Sequence, residues 1–153
     1  VALTCKPLTV LSVASILGLL VTACGTSKVA QCNKLIGIAN KATTEIQTTN
    51  QTNSRDQAAQ PDTKAAQLDK IADSLDQYAQ EMQAVELLDE KLQGFRTRFV
   101  QLYQQTSKGS RDVSTAVKTK NFSAANQSLN QLRTGINQEK TLVNEVNQYC
   151  RGR

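Results

Sequence analysis

Apolar residues recur at alternating spacings of three and four along four stretches of the chain, and no other feature of the sequence constrains the fold as tightly. The first stretch carries Val29, Cys32, Leu35, Ile36, Ala39, Ala42 and Ile46. The second carries Ala65, Leu68, Ile71, Ala72, Leu75, Tyr78, Ala79 and Met82. The third runs through Leu92, Phe95, Phe99, Leu102, Tyr103, Thr106, Val113, Ala116 and Val117, and the fourth through Phe122, Ala125, Leu129, Leu132, Ile136, Val143, Val146 and Tyr149. A period near 3.6 residues puts each set on one side of an α-helix. The alternation of three and four is the seam of helices packed side by side with a slight supercoil. With 4% aromatic residues, no Trp and 2 Pro, the composition disfavours a β-sandwich and suits an Ala/Leu/Val/Ile helical core.

Punctuation between the stripes sets the topology. Thr48-Thr49-Asn50-Gln51-Thr52-Asn53-Ser54 is a run of poor helix formers and predicts a loop. Pro61-Asp62 is a helix start, with Pro at the boundary and an acid in the first turn. A short link through Val85 to Leu88 leads to Asp89, which can open the third helix; Lys118 to Asn121 closes it, and Ser123 is expected near the cap of the fourth. Gly109 is the weak spot of the third helix, costing about 1 kcal/mol against Ala and inviting a kink. Short connections make consecutive helices antiparallel neighbours. The expected fold is all-α, an up-down-up-down four-helix bundle over residues 29–153.

Ahead of the stripes, residues 1–23 form a different kind of segment. Lys6 is its only charge, and a mostly apolar run follows from Leu8 to Ala23. That run is short of the roughly 20 residues a spanning helix needs and matches the apolar region of a secretory signal. Its exit reads Leu20-Val21-Thr22-Ala23-Cys24-Gly25, which resembles the lipobox of bacterial lipoproteins. The resemblance implies that the Cys24 thiol receives a diacylglycerol, that residues 1–23 are removed, and that residues 24–28 become an acylated tether. It implies an extracytoplasmic protein held to a bacterial membrane. Gly25 stands where an inner-membrane retention Asp would sit, which favours the periplasmic face of the outer membrane; a thylakoid lumen is the alternative. Ordinary cleavage after Ala23, leaving Cys24 free, and an uncleaved anchor are the competing readings of the same segment.

Removal of the leader takes Cys5, and acylation takes Cys24. Cys32 and Cys150 are left in a compartment where disulfides persist, so one disulfide is the simplest reading and two free thiols the other. In an up-down-up-down bundle the start of the first helix and the end of the fourth are adjacent, as a Cys32–Cys150 bridge requires. A metal site is disfavoured, because two thiolates without His do not complete a tetrahedral set. A redox pair would want Cys-x-x-Cys spacing.

Charge is unevenly spread. Residues 56–90 hold nine acids against Lys64 and Lys70, whereas residues 91–153 hold eleven bases against Asp112, Glu139 and Glu145. Asp69, Asp73 and Asp76 share one face of the second helix. They are either a docking face for a basic partner or the complement of the third and fourth helices. Nucleic acid is disfavoured, since no aromatic platform interleaves the bases. The chain has no His, no phosphate-binding loop and no hydrolase motif, so no catalytic residue, metal or cofactor is expected. The expected function is a non-catalytic binding or accessory subunit of a membrane or envelope complex, anchored by its lipid beside a protein partner. In architecture alone this is similar to the small lipoprotein bundles on the lumenal face of photosystem II, and the amide-rich composition has a cyanobacterial flavour. The alternative is a periplasmic ligand-binding or stress-sensing bundle.

Overall fold

A computed structural model describes residues 27–55 and 60–152; the expected leader, the lipobox-like run and Cys24 lie outside the described residues. Four helices follow in order: α1 Lys28–Arg55, α2 Pro61–Gln83, α3 Glu90–Lys118 and α4 Phe122–Cys150. The Ser27 hydroxyl accepts a bond from the Ala30 N–H (3.2 Å), meeting one of the orphan donors at the start of α1. Gln60 stands at the N-cap of α2, followed by Pro61 and by Asp62 in the first turn. Asp89 caps α3 through its carboxylate on the Leu92 N–H (2.9 Å). Asn121, not Ser123, caps α4, accepting from the Ala124 N–H at 3.1 Å.

The expected loop over 48–54 is instead the last part of α1. Thr44 and Thr48 return their hydroxyls to the carbonyls of Asn40 and Thr44, both at 2.8 Å. In that conformation a threonine satisfies its hydroxyl without leaving the helix, so the run can stay helical despite its low intrinsic propensity.

The helices form the up-down-up-down bundle. Helix α3 is its centre, packing extensively on α2 and α4, while α1 leans more thinly on α2 and α4 and touches α3 across the short diagonal. Cys32, Leu35, Ala39, Leu75, Met82, Leu92, Phe99, Tyr103, Leu142 and Val146 make one contiguous buried core. Small residues bring the helices together. On α3, Ser107, Gly109, Ser110 and Ser114 are buried; on α2, Ala65, Ala72 and Ala79 are buried.

Gly109 does not kink α3, which runs unbroken from Glu90 to Lys118. A Cβ at Gly109 would sit 3.0 Å from Leu132 Cδ2, and one at Gly135 would sit 2.8 Å from Thr106 Oγ1. At Gly135 something must shift to admit a side chain, whereas at Gly109 the flexible end of Leu132 need give only a few tenths of an ångström. The buried face of α4 departs from the expected stripe at three positions, while Ala125 and Val146 keep to it. Its buried residues are Ala125, Ser128, Gly135, Leu142 and Val146, whereas Phe122, Leu129 and Ile136 are exposed. At these two points a glycine on one helix seats a side chain of the other, Leu132 against Gly109 and Thr106 against Gly135.

Candidate functional site

Among the residues singled out from sequence, Cys32 and Cys150 are brought together as a disulfide, with Cα atoms 6.1 Å apart. It ties the first turns of α1 to the last turn of α4. Around it the bundle end is closely hydrogen-bonded. Gln31 Oε1 accepts from the N–H groups of Leu88 (2.6 Å) and Asp89 (3.1 Å), tying α1 to the α2–α3 link. The Tyr149 hydroxyl donates to Asp89 Oδ2 at 2.7 Å, and the Lys28 ammonium lies 3.5 Å from the Tyr149 ring centroid. The Tyr149 hydroxyl, then the Leu92 N–H, hold the Asp89 carboxyl below the usual range.

The acidic trio is met within the molecule. Asp69 pairs with Lys118, and Asp73 and Asp76 both pair with Arg111, each at 2.8 Å. Arg111 also donates to Ser107. Lys118 holds Asp69 below its ordinary range, and Asp76 leads the two acids that raise the Arg111 guanidinium. Lysine and arginine from α3 thus complete the α2 face that the charge pattern singled out.

Sequence reasoning missed the cluster centred on Glu139. On α4 this residue occupies the same heptad position as Leu132 and Val146, seven residues to either side, and the structure folds it inward. Its Oε1 accepts from the buried Tyr103 hydroxyl (3.0 Å) and from Thr43 Oγ1 (3.4 Å), so α1, α3 and α4 meet at one carboxyl. Burial pushes the Glu139 carboxyl up, against the lowering effect of its two hydrogen bonds. Burial first, then the Glu139 charge, pushes the Tyr103 phenol up as well. The signal was a lone carboxylate at a stripe position, which an apolar count passes over.

Glu139 lines a groove of about 460 Å³ between α1 and α4, together with Thr43, Ile46, Ile136, Lys140 and Val143. On the other side of α1, Glu45 accepts hydrogen bonds from Ser74 and Tyr78 of α2. These bonds lower Glu45, and the Glu45 contact pushes the Tyr78 phenol up to about 12. Helix α1 is held by polar clasps on both flanks, which suits its thinner apolar packing. These clusters join helices through hydroxyl-to-carboxylate hydrogen bonds, Ser74 and Tyr78 on Glu45 and Thr43 and Tyr103 on Glu139. Among the described residues no three metal-ligating side chains converge, and no helix is long and apolar enough to cross a membrane. No family model matches the chain, and no curated protein or solved structure matches it either.

Proposed function

We propose that the protein is an acyl-anchored extracytoplasmic lipoprotein whose bundle serves as a non-catalytic binding or accessory subunit of a membrane or envelope complex. The observation that carries this reading is the lipobox ending at Cys24, immediately before a bundle that starts at its disulfide-closed end. From Cys24 to Ser27 an extended chain spans about 10 Å. A lipid on Cys24 would therefore set the end bearing Cys32, Cys150 and the α2–α3 link beside the bilayer. Side chains of all four helices fill the described core, which favours recognition on the surface over a ligand held inside.

The test is replacement of Cys24 in the full chain. Cys24→Ala should leave an unprocessed precursor, abolish labelling by a clickable fatty acid and release the protein from the membrane fraction. Equal labelling of the variant and the natural protein would defeat the anchor. The ligand-binding reading has one observation in its favour, the α1–α4 groove with Glu139 in its wall. A small molecule co-purifying with the protein and lost on Ile136→Trp would favour it.

A further inference from the structure

Helix α4 carries large apolar side chains that the described residues leave uncovered. Phe122, Leu129 and Ile136 are 75%, 39% and 42% exposed. They stand seven residues apart, close to two helical turns, so they fall in one line along the helix; Val143 continues that line toward the core, against which it packs. From Phe122 to Ile136 the line is about 21 Å long at 1.5 Å per residue. Single exposed apolar residues are ordinary, but an aligned row marks a contact surface. The row lies toward α1, because Ile136 and Val143 line the groove shared with Ile46. Of the neighbouring helix pairs, α1 and α4 make the sparsest contact.

Charge along the row has one sign. Arg133 follows Leu129 by four residues and precedes Ile136 by three; Lys140 follows Ile136 by four, so both bases stand on the same side as the row. Both are exposed, and among the described residues neither has an ion-pair partner. The two α4 carboxylates are already engaged, Glu139 by Tyr103 and Thr43, Glu145 by Arg98.

We propose that the row Phe122–Leu129–Ile136, flanked by Arg133 and Lys140, docks an acidic amphipathic helix of another protein. Such a helix would be about four turns long, apolar at spacings of three and four, with Asp or Glu on the flank that meets the two bases. A second copy of this chain is a poorer fit. Its acidic trio is paired with α3, and among the described residues its other exposed large apolar side chains are Val29 and Leu88, near the disulfide end. Two copies of the row against each other would place bases beside bases. The inference deepens the accessory-subunit reading, on which it rests for the partner's place at the membrane, by naming the surface and the partner's chemistry.

The experiment uses the full chain in membranes of its own cells, with p-benzoylphenylalanine placed in turn at the positions of Leu129, Ile136 and, as control, Lys70 on α2. Circular dichroism checks that each variant stays helical. Irradiation should link positions 129 and 136 to one and the same polypeptide, through a segment apolar at three- and four-residue spacing and rich in Asp and Glu, with little product from position 70. Arg133→Glu with Lys140→Glu should lower the yield at least tenfold, and Arg133→Gln with Lys140→Gln should give an intermediate loss. Absence of adducts, adducts to lipid or to a second copy of the chain, a linked segment without excess acid, or a yield indifferent to the charge reversal would each overturn the proposal. Fatty-acid labelling read on the same samples separates the two claims. Labelled protein without an adduct defeats the docking face alone, and an adduct on unlabelled protein defeats the anchor alone.

Discussion

Gly135→Ala and Gly94→Ala are the same chemical change, and the bundle should answer them with opposite signs. Each lies inside a long helix, where alanine is favoured over glycine by about 1 kcal/mol. A Cβ at Gly94 meets nothing within 4 Å, so Gly94→Ala should gain most of that preference. A Cβ at Gly135 meets Thr106 Oγ1 at 2.8 Å, with Leu102 Cδ1 and Thr106 Cβ at 3.9 Å. Thr106 is β-branched and already donates its hydroxyl to the Leu102 carbonyl at 2.8 Å, so it cannot swing aside freely. Either that bond is given up or α3 and α4 separate by about half an ångström; overpacking of this kind costs about 1–3 kcal/mol. Set against the helix preference, the net effect is a loss of about 1 kcal/mol, and the two variants should differ by about 2 kcal/mol. For a bundle of this size that is roughly 6–10 °C between their melting temperatures, read by circular dichroism in parallel melts. Thr106→Ala should rescue Gly135→Ala, with a coupling near 1 kcal/mol in the double-mutant cycle. If Gly135→Ala stabilises as much as Gly94→Ala, the close approach of α3 and α4 is not real.

Cys150→Ser opens a loop of 118 residues, worth at most about 5 kcal/mol in the chain-entropy model, so melting should fall by up to roughly 15–25 °C. Hydrogen exchange should then accelerate first in α1, and equal acceleration in α3 would refute the weak hold on that helix. Glu139 has its carboxyl raised in the folded state, so its contribution is present below about pH 4.5 and is lost as pH rises through the folded value. Glu139→Gln should match the natural protein near pH 4 and melt higher near pH 7; a difference independent of pH would remove the buried-carboxyl account. Reversing Asp69, Asp73 and Asp76 to Lys sets like charges against Lys118 and Arg111, and should lower the melting temperature more at 10 mM salt than at 500 mM. An unchanged melt at low salt would show that the α2–α3 pairs contribute nothing.

Apolar periodicity located the four helices; the Pro61 start and the Asp89 cap were legible from residue types at helix boundaries, and the cysteine pairing from an even cysteine count left after the leader together with the antiparallel topology. Periodicity failed where packing depended on the absence of a side chain. Ser107, Ser110, Ser114, Ser128 and Gly135 are buried because they are small, and a hydrophobicity pattern gives small polar residues no weight. That omission is why Phe122, Leu129 and Ile136 were expected inside the bundle and are found outside it. The α1 extension escaped notice for a different reason, since threonine's return bond to the preceding turn forms only once the helix exists. The acidic trio was visible as a face, but its partners Arg111 and Lys118 sit about 40 residues away, and only the register of α2 against α3 brings them opposite. Glu139 could be read only after the neighbouring helices had placed Tyr103 and Thr43 beside it.

The bridge between Cys32 and Cys150 also has a consequence in time. A chain emerging from its amino terminus presents α1 first, yet the tie that secures α1 waits for a residue 118 positions later. Meanwhile α2 and α3 can dock on one another, since the broadest contact joins them, and α4 completes only as Cys150 arrives. Helix α1 is thus the earliest to appear and the last to be fastened. Until Cys150 arrives, α1 has its buried Leu35, Ala39 and Ala42 and the Glu45 clasp to lay against α2, while Thr43 must wait for Glu139 on α4.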